Sequence, residues 1–176
     1  MRAGLVRNVT ATPATSEAGA VDQAAIHPKI ARMWAYWESL IEPPLTIPRR
    51  AAFDPGDVPN LLSNLWILDV VREGDAPPRF RMRLIGDLIR EAGITARPGD
   101  FMDASHITAV PTAVLAVLGR VAETGLPDYA IGPPLIKHDR NVVKLERVML
   151  PFTLGDGQVD QIFGCTVFHR SLSAAR

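Results

Sequence analysis

The segment from residue 64 to residue 95, NLWILDVVREGDAPPRFRMRLIGDLIREAGIT, limits the possible folds of this chain most strongly. Its two apolar-rich runs predict β-strands over Leu65–Val71 and Arg79–Ile85, joined by a short connection that contains Gly and Pro. The second run alternates apolar and basic residues with a period of two, which is typical of a strand with two chemically different faces. Gly86 ends that strand, and a short helix is predicted over 86–93. This order favours an antiparallel strand pair that leads directly into helices.

Two longer helices are predicted from apolar residues at steps of three and four. The first covers 28–41 and ends before Pro43. The second begins at Pro111 and ends near Thr124, where Gly125 is well placed to terminate it. The apolar face of the first helix is formed by Ile30, Met33, Trp34, Trp37, Leu40 and Ile41, and that of the second by Val114, Leu115, Leu118 and Val121.

The remaining segments predict further strands and short connections. Asp54 as an N-cap followed by Pro55 predicts a short helix from 55 to about 62. Residues 97–109 are expected to be irregular, with a brief helix after Asp103. Three more strands are predicted over 127–136, 141–151 and 159–169, with a hairpin turn at 154–157 between the last two.

Together these elements predict an α+β fold, with a five-stranded antiparallel sheet and helices between strands two and three. The N-terminal helix is expected to lie outside the core formed by the sheet and the central helices. Residues 1–26 are expected to form a disordered tail, residues 27–170 the domain, and residues 171–176 a C-terminal tail.

Composition excludes several classes of protein. The chain has 176 residues, 47% of them hydrophobic, and its 19 basic residues balance its 19 acidic residues, which argues against a nucleic-acid-binding protein. No apolar run approaches the roughly 20 residues of a membrane-spanning helix. The N-terminus lacks the apolar segment of a secretory signal, so a cytoplasmic location is expected.

Short sequence words carry a resemblance over about 130 residues. They are Tyr36-Trp37, Ile47-Pro48-Arg49, Phe53-Asp54-Pro55, Leu61-Leu62-x-Asn64-Leu65, Leu68-Asp69-Val70, Phe80-Arg81-Met82-Arg83-Leu84-x-Gly86, Leu150-Pro151-Phe152 and Gly155-Asp156-Gly157. In this order and spacing, the stretch from Tyr36 to about Phe168 resembles a bacterial PAS-like family long catalogued as a domain of unknown function. Asp87 departs from the small hydroxyl residue expected there. The resemblance implies a PAS fold, a sensory or regulatory role, and no catalytic residues to carry over.

Residues with reactive or metal-binding side chains do not form a recognised motif. The four histidines, His27, His106, His138 and His169, have no ligand spacing and are interpreted as surface or loop residues. Cys165 is the only cysteine and lies in an apolar strand, where it is expected to behave as a small hydrophobe. No motif for flavin attachment, for a nucleophile or for a phosphate cradle is present, so the cofactor is left unassigned and a metal site is not expected.

The arginines of the second strand are interpreted as structural. If Phe80, Met82 and Leu84 face the core, Arg79, Arg81 and Arg83 face the opposite side of the sheet. Counting by twos places Trp66, Leu68 and Val70 inward in the first strand. Asp69 then faces outward, where it is expected to pair with Arg83. The same charges would discourage pairing at a free edge of the sheet.

Arg147 in the fourth strand is the strongest polar candidate for ligand contact. With Lys144 and Glu146 outward, the inward set is Val143, Leu145, Arg147 and Met149. A buried arginine requires a carboxylate or an anionic ligand as a partner. The alternative is a bulge of one residue that directs Arg147 to solvent.

These patterns lead us to expect a non-enzymatic sensory domain that binds a small apolar or acidic ligand, a signalling protein partner, or both. The alternatives are a small cone-shaped α+β isomerase or dehydratase and a ligand-free interaction domain. A homodimer through residues 28–41 is expected, with no contact to nucleic acid or membrane. A bound ligand would lie between the inner face of the sheet and the segment 86–124, with Phe101 and Met102 as an adaptable lid. The predicted pocket residues are Phe80, Met82, Leu84, Phe101, Leu115, Leu118, Leu145, Arg147 and Met149.

Overall fold

The computed structural model describes residues 26–102, 111–134 and 142–170. In these ranges the α-helices are α1 (Pro28–Ser39), α2 (Asp87–Glu91) and α3 (Thr112–Thr124). The strands are β1 (Leu65–Val71), β2 (Arg79–Ile85), β3 (Asp128–Gly132), β4 (Val142–Phe152) and β5 (Gln161–Arg170). They form one antiparallel sheet in the order β2-β1-β5-β4-β3, and the predicted α+β fold class is confirmed.

Most predicted elements have their expected places, and the differences are local. Strands β1 and β2 have the predicted bounds, and the left-handed Gly125 (φ 65°) terminates α3. The helix predicted over 55–62 is a pair of 3-10 helices, Pro55–Asp57 and Pro59–Asn64, and a further 3-10 helix covers Arg50–Ala52. Some predicted features lie outside the described residues. They are the brief helix after Asp103, both tails apart from Ile26, and the end of the strand predicted over 127–136.

The two faces of the sheet are covered by different parts of the chain. Asp128 of β3 forms an ion pair with Arg120 of α3. The face of the sheet to which the side chain of Asp128 points is therefore called here the inner face. The next residue, Tyr129, contacts Trp34 of α1, with 6.5 Å between ring centroids. Because successive side chains of a strand point to opposite faces, α1 covers the other side, called here the outer face.

Helix α1 lies on the outer face, opposite α3, and buries its apolar side chains against the sheet. Ile30, Met33 and Trp37 are fully buried, and the indole N–H of Trp37 donates a hydrogen bond of 2.8 Å to the carbonyl oxygen of Pro151. The reason is that the segments 148–152 of β4 and 162–165 of β5 are apolar and buried on both faces of the sheet. The outer face therefore needs its own cover, and α1 supplies it.

The structure does not test the homodimer expected through residues 28–41, but it shows that the two tryptophans of this helix are buried. Trp34 is 9% exposed and Trp37 is 0% exposed, because both pack against the sheet of their own chain. Such side chains do not offer a free surface to a second copy. Association through this helix stays a prediction.

A β-bulge in β2 changes the expected alternation. Met82 pairs with Leu68, whereas Leu84 pairs with Ile67, so Arg83 is an extra residue between them. Leu84 consequently lies on the outer face and is 42% exposed, and Ile85 takes the buried inner position that was assigned to Leu84. Val143 was also expected inward but is 54% exposed, at a second irregularity between Val142 and Lys144.

The arginines of β2 lie on the outer face as predicted. Asp69 forms ion pairs with Arg83 (3.4 Å) and with Arg81 (3.2 Å), which confirms the predicted cross-strand pair. Strand β2 is an edge strand of the sheet, and its outer edge also pairs with the segment 99–102. The amide of Met82 donates to the carbonyl of Asp100 at 2.8 Å, and the guanidinium of Arg79 lies 3.9 Å from the ring centroid of Phe101.

Candidate functional site

Arg147 lies on the inner face, which is the first of its two predicted alternatives. Its side chain is 11% exposed, and its Nη2 atom lies 3.6 Å from Oδ2 of Asp128, whose side chain is 3% exposed. Arg120 of α3 donates a hydrogen bond to Oδ1 of the same carboxylate. The register that pairs Asp128 with Met149 and Ala130 with Arg147 brings these groups together.

The electrostatics of this ion pair reflect its burial. Desolvation raises the pKa of Asp128, and the two guanidinium groups oppose that rise. Desolvation lowers the pKa of Arg147, and Asp128 opposes that change. Among the described residues, neither Nη1 of Arg147 nor Oδ2 of Asp128 has a hydrogen-bond partner. Buried polar atoms nearly always form hydrogen bonds, so these two atoms can still form hydrogen bonds with a bound polar group.

A polar row extends from Arg147 across the sheet. Thr166 is the cross-strand neighbour of Arg147, and its hydroxyl oxygen accepts a hydrogen bond of 3.0 Å from the indole N–H of Trp66. We define the polar row as Trp66, Thr166, Arg147 and Asp128, one residue from each of β1, β5, β4 and β3. Sequence reasoning missed three of these residues as site residues, since only strand register places them beside Arg147.

The structure brings only part of the predicted pocket together. Phe80, Met82, Leu118 and Met149 lie on the inner face but are at most 4% exposed, so they fill the core. Leu115 and Leu145 are half-buried near the same face. Leu84 lies on the outer face because of the bulge. Phe101 lies at the edge of β2 beneath Arg79, so its predicted place as a pocket lid was wrong, and Met102 packs half-buried against the core.

A second buried polar cluster lies on the outer face, where none was expected. Glu146 lies on the outer face, as predicted, but it is 1% exposed there. Its Oε1 accepts hydrogen bonds from the amide of His27 (2.7 Å) and the hydroxyl of Tyr129 (3.2 Å), and its Oε2 lies 3.6 Å from Nε2 of His169. The start of α1 covers this carboxylate, and His169, whose side chain is 34% exposed, approaches it from strand β5 and not from a loop. Among the described residues, no three His, Cys, Asp or Glu side chains form a metal-binding group.

Two groups near Glu146 should make the protein sensitive to alkaline pH. Burial raises the pKa of Cys165 from its ordinary 9.0 to about 12, and burial together with Glu146 raises the pKa of Tyr129 from 10.0 to about 12. The unfolded chain loses these protons first, so stability present below pH 9.0 should fall progressively as the pH rises towards about 12. Urea unfolding across this range measures the effect. The variant Cys165→Ala/Tyr129→Phe should show a shallower decline, and an unchanged slope would contradict the assignment.

The family of the chain follows from comparison with known sequences. A family model described as a PAS domain matches residues 25–167, and the chain belongs to this family. Comparison with curated proteins and with solved structures gave no match. None of the helices in the described part of the chain is long and apolar enough to span a membrane.

Proposed function

We propose that this chain is a non-enzymatic sensory or regulatory PAS domain that binds a small molecule with an apolar body and an acidic group. The observation that carries the proposal is Arg147, a cation buried on the inner face with one guanidinium nitrogen left without a hydrogen-bond partner among the described residues. An anionic group at that nitrogen would complete its hydrogen bonding. Half-buried Leu115 and Leu145 offer apolar contact to the rest of the ligand.

The arrangement of carboxylates supports binding more than catalysis. A cone-shaped isomerase or dehydratase would need a buried His/Asp pair or paired carboxylates in its pocket. Asp128 is instead held by two guanidinium groups, which suits it to orienting Arg147. Glu146 and His169 lie on the outer face, under α1, and not beside Asp128.

A second candidate is a ligand-free interaction domain that signals through a protein partner. The tight burial of Phe80, Met82, Leu118 and Met149 favours it, because these side chains occupy space that a ligand would need. The two candidates differ in whether the purified protein carries a small molecule.

Native mass spectrometry of freshly purified protein tests the proposal. The wild-type protein should retain a small molecule, and Arg147→Met should reduce its retention by about tenfold or more, the value of a charge-assisted hydrogen bond. Arg81→Met is the matched control, since Arg81 also pairs with a carboxylate on the sheet but is 45% exposed on the outer face.

Further variants keep the test decisive if Arg147→Met does not fold. If Arg147→Met fails to fold, Arg147→Lys keeps the charge beside Asp128 and should still weaken retention, because it loses the planar guanidinium. Leu118→Trp should displace a ligand from the inner face. A wild-type protein without any bound molecule would favour the ligand-free domain. Unchanged retention in folded Arg147→Met and Leu118→Trp would place the site elsewhere.

A further inference from the structure

A separate cleft lies on the outer face, where β1 and β2 meet the 3-10 helices. Its volume is about 320 Å³, within the range of small-molecule sites. On one side of the cleft, the backbone of Gly86 packs closely against the 3-10 helix. A Cβ atom at this position would lie only 2.6 Å from the carbonyl oxygens of Leu62 and Ser63. The lining residues are Arg50, Phe53, Pro55, Leu62, Ser63, Leu65, Ile67, Leu84, Ile85, Gly86 and Asp87.

The walls of this cleft are mainly apolar and partly exposed. Leu84 is 42% exposed and Leu62 is 39% exposed, which makes them two of the exposed large hydrophobic residues of the described chain. The bulge in β2 turns Leu84 towards the cleft, because it moves that side chain from the inner to the outer face. Leu65 and Ile67 of β1 are buried and line the same cleft. An apolar ligand body would bury the exposed leucines.

Arg50 supplies a fixed positive charge in the cleft. Its guanidinium carbon lies 5.4 Å from the ring centroid of Phe53 and 5.3 Å from that of Phe163, which are cation–π distances. Its backbone amide donates a hydrogen bond of 2.7 Å to Thr153, which anchors the residue. Burial, followed by the nearby charge of Arg83, lowers the pKa of Arg50, yet an arginine stays protonated.

The hydrogen bonding of Arg50 leaves room for an anion. Its one side-chain hydrogen bond to a described residue goes from Nη1 to the carbonyl of Phe53, at 3.4 Å. No carboxylate of the described residues forms an ion pair with it. A guanidinium has five N–H donors and matches a carboxylate in a bidentate arrangement. The positive charge of Arg83 adds to the attraction for an anion.

Asp87 restricts which anions fit. Asp87 and Arg50 lie towards different ends of the cleft. Asp87 follows directly after β2, whereas Arg50 contacts Phe163 of β5, which is two strands away in the sheet order. A ligand whose carboxylate contacts Arg50 therefore extends towards a negative charge. A second carboxylate at the far end of the ligand would be repelled.

We propose that this cleft is a binding site for small monocarboxylates with an apolar chain, whose carboxylate pairs with Arg50 and whose chain contacts Leu62 and Leu84. The site is independent of the inner-face site around Arg147, because the two lie on opposite faces of the sheet. It is open to solvent, so exchange with free ligand in solution is expected.

Titration with octanoate tests this site, read out by calorimetry and by methyl shifts in NMR spectra of the whole chain. Octanoate should bind and shift the methyl signals of Ile67 and Leu84. Neutral octan-1-ol and the dicarboxylate suberate should bind more weakly. Arg50→Met should weaken octanoate binding by about tenfold or more, the effect of losing a charge-assisted hydrogen bond. Arg49→Met is the matched control and should bind like the wild-type protein.

Two further variants distinguish binding in the cleft from binding on the inner face, and a specific loss of binding from misfolding. Leu84→Glu adds a carboxylate to the cleft and should abolish octanoate binding at a position exposed enough to tolerate the change. Leu118→Trp, on the inner face, should leave the octanoate-induced shift of the Leu84 methyl signals in the cleft unchanged. Equal binding by octanoate and octan-1-ol, full binding by Arg50→Met and Leu84→Glu, or loss of binding only in Leu118→Trp would overturn the proposal.

Discussion

Trp37→Ala should lower the free energy of unfolding by about 3–5 kcal/mol, the usual cost of removing a fully buried large aromatic side chain. Trp37 is 0% exposed between α1 and the outer face of the sheet. Its removal would leave a cavity and would also leave the Pro151 carbonyl without the hydrogen bond from the indole. The variant therefore tests directly whether α1 is part of the core.

Urea unfolding followed by circular dichroism measures this effect. Arg32→Ala is the control on the same helix, because Arg32 is exposed and makes one hydrogen bond of 3.2 Å to the carbonyl of Asp57. Its effect should stay within about 0.5 kcal/mol. Equal, small losses in both variants would mean that α1 contributes little to the core.

Gly164→Ala should destabilise the protein by about 1–3 kcal/mol or more, because it forces an atom into a filled space. The added Cβ would overlap the indole ring of Trp66, which lies across the inner face at that point. Either β5 shifts or Trp66 leaves its place and loses its hydrogen bond to Thr166. The second outcome would also disturb the polar row beside Arg147.

Urea unfolding and the tryptophan emission spectrum together test this prediction. Gly119→Ala is a matched control, since a Cβ there meets no atom within 4 Å and α3 should gain up to about 1 kcal/mol. The double variant Gly164→Ala/Trp66→Leu should recover part of the lost stability. Wild-type stability of Gly164→Ala alone would show that Trp66 does not occupy this position.

Local patterns in the sequence were enough to predict the elements of the fold. The bounds of β1 and β2 follow from runs of apolar and alternating residues, and the end of α3 follows from Gly125. The order of strands and helices, together with the resemblance, indicated the PAS family that the sequence comparison then showed. These features depend on residues close together in the chain, which is why one sequence suffices.

The candidate sites could be predicted only in part. Arg147 was identified because its place in an alternating strand put a charge among apolar residues. Its partner Asp128 was missed, since the pairing of Asp128 with Met149 depends on the register of β3 against β4. The cleft was missed because one extra residue, Arg83, moves Leu84 to the outer face.

The sequence by itself determined the class of fold, the bounds of its first strands and the residue types available for binding. Tertiary structure alone decided that α1 covers the outer face, that Glu146 is buried beneath it, and that Arg50 faces an apolar cleft. The physical reason is that hydrophobic periodicity arises from neighbouring residues, whereas burial and ion pairing depend on strand register and on how elements pack.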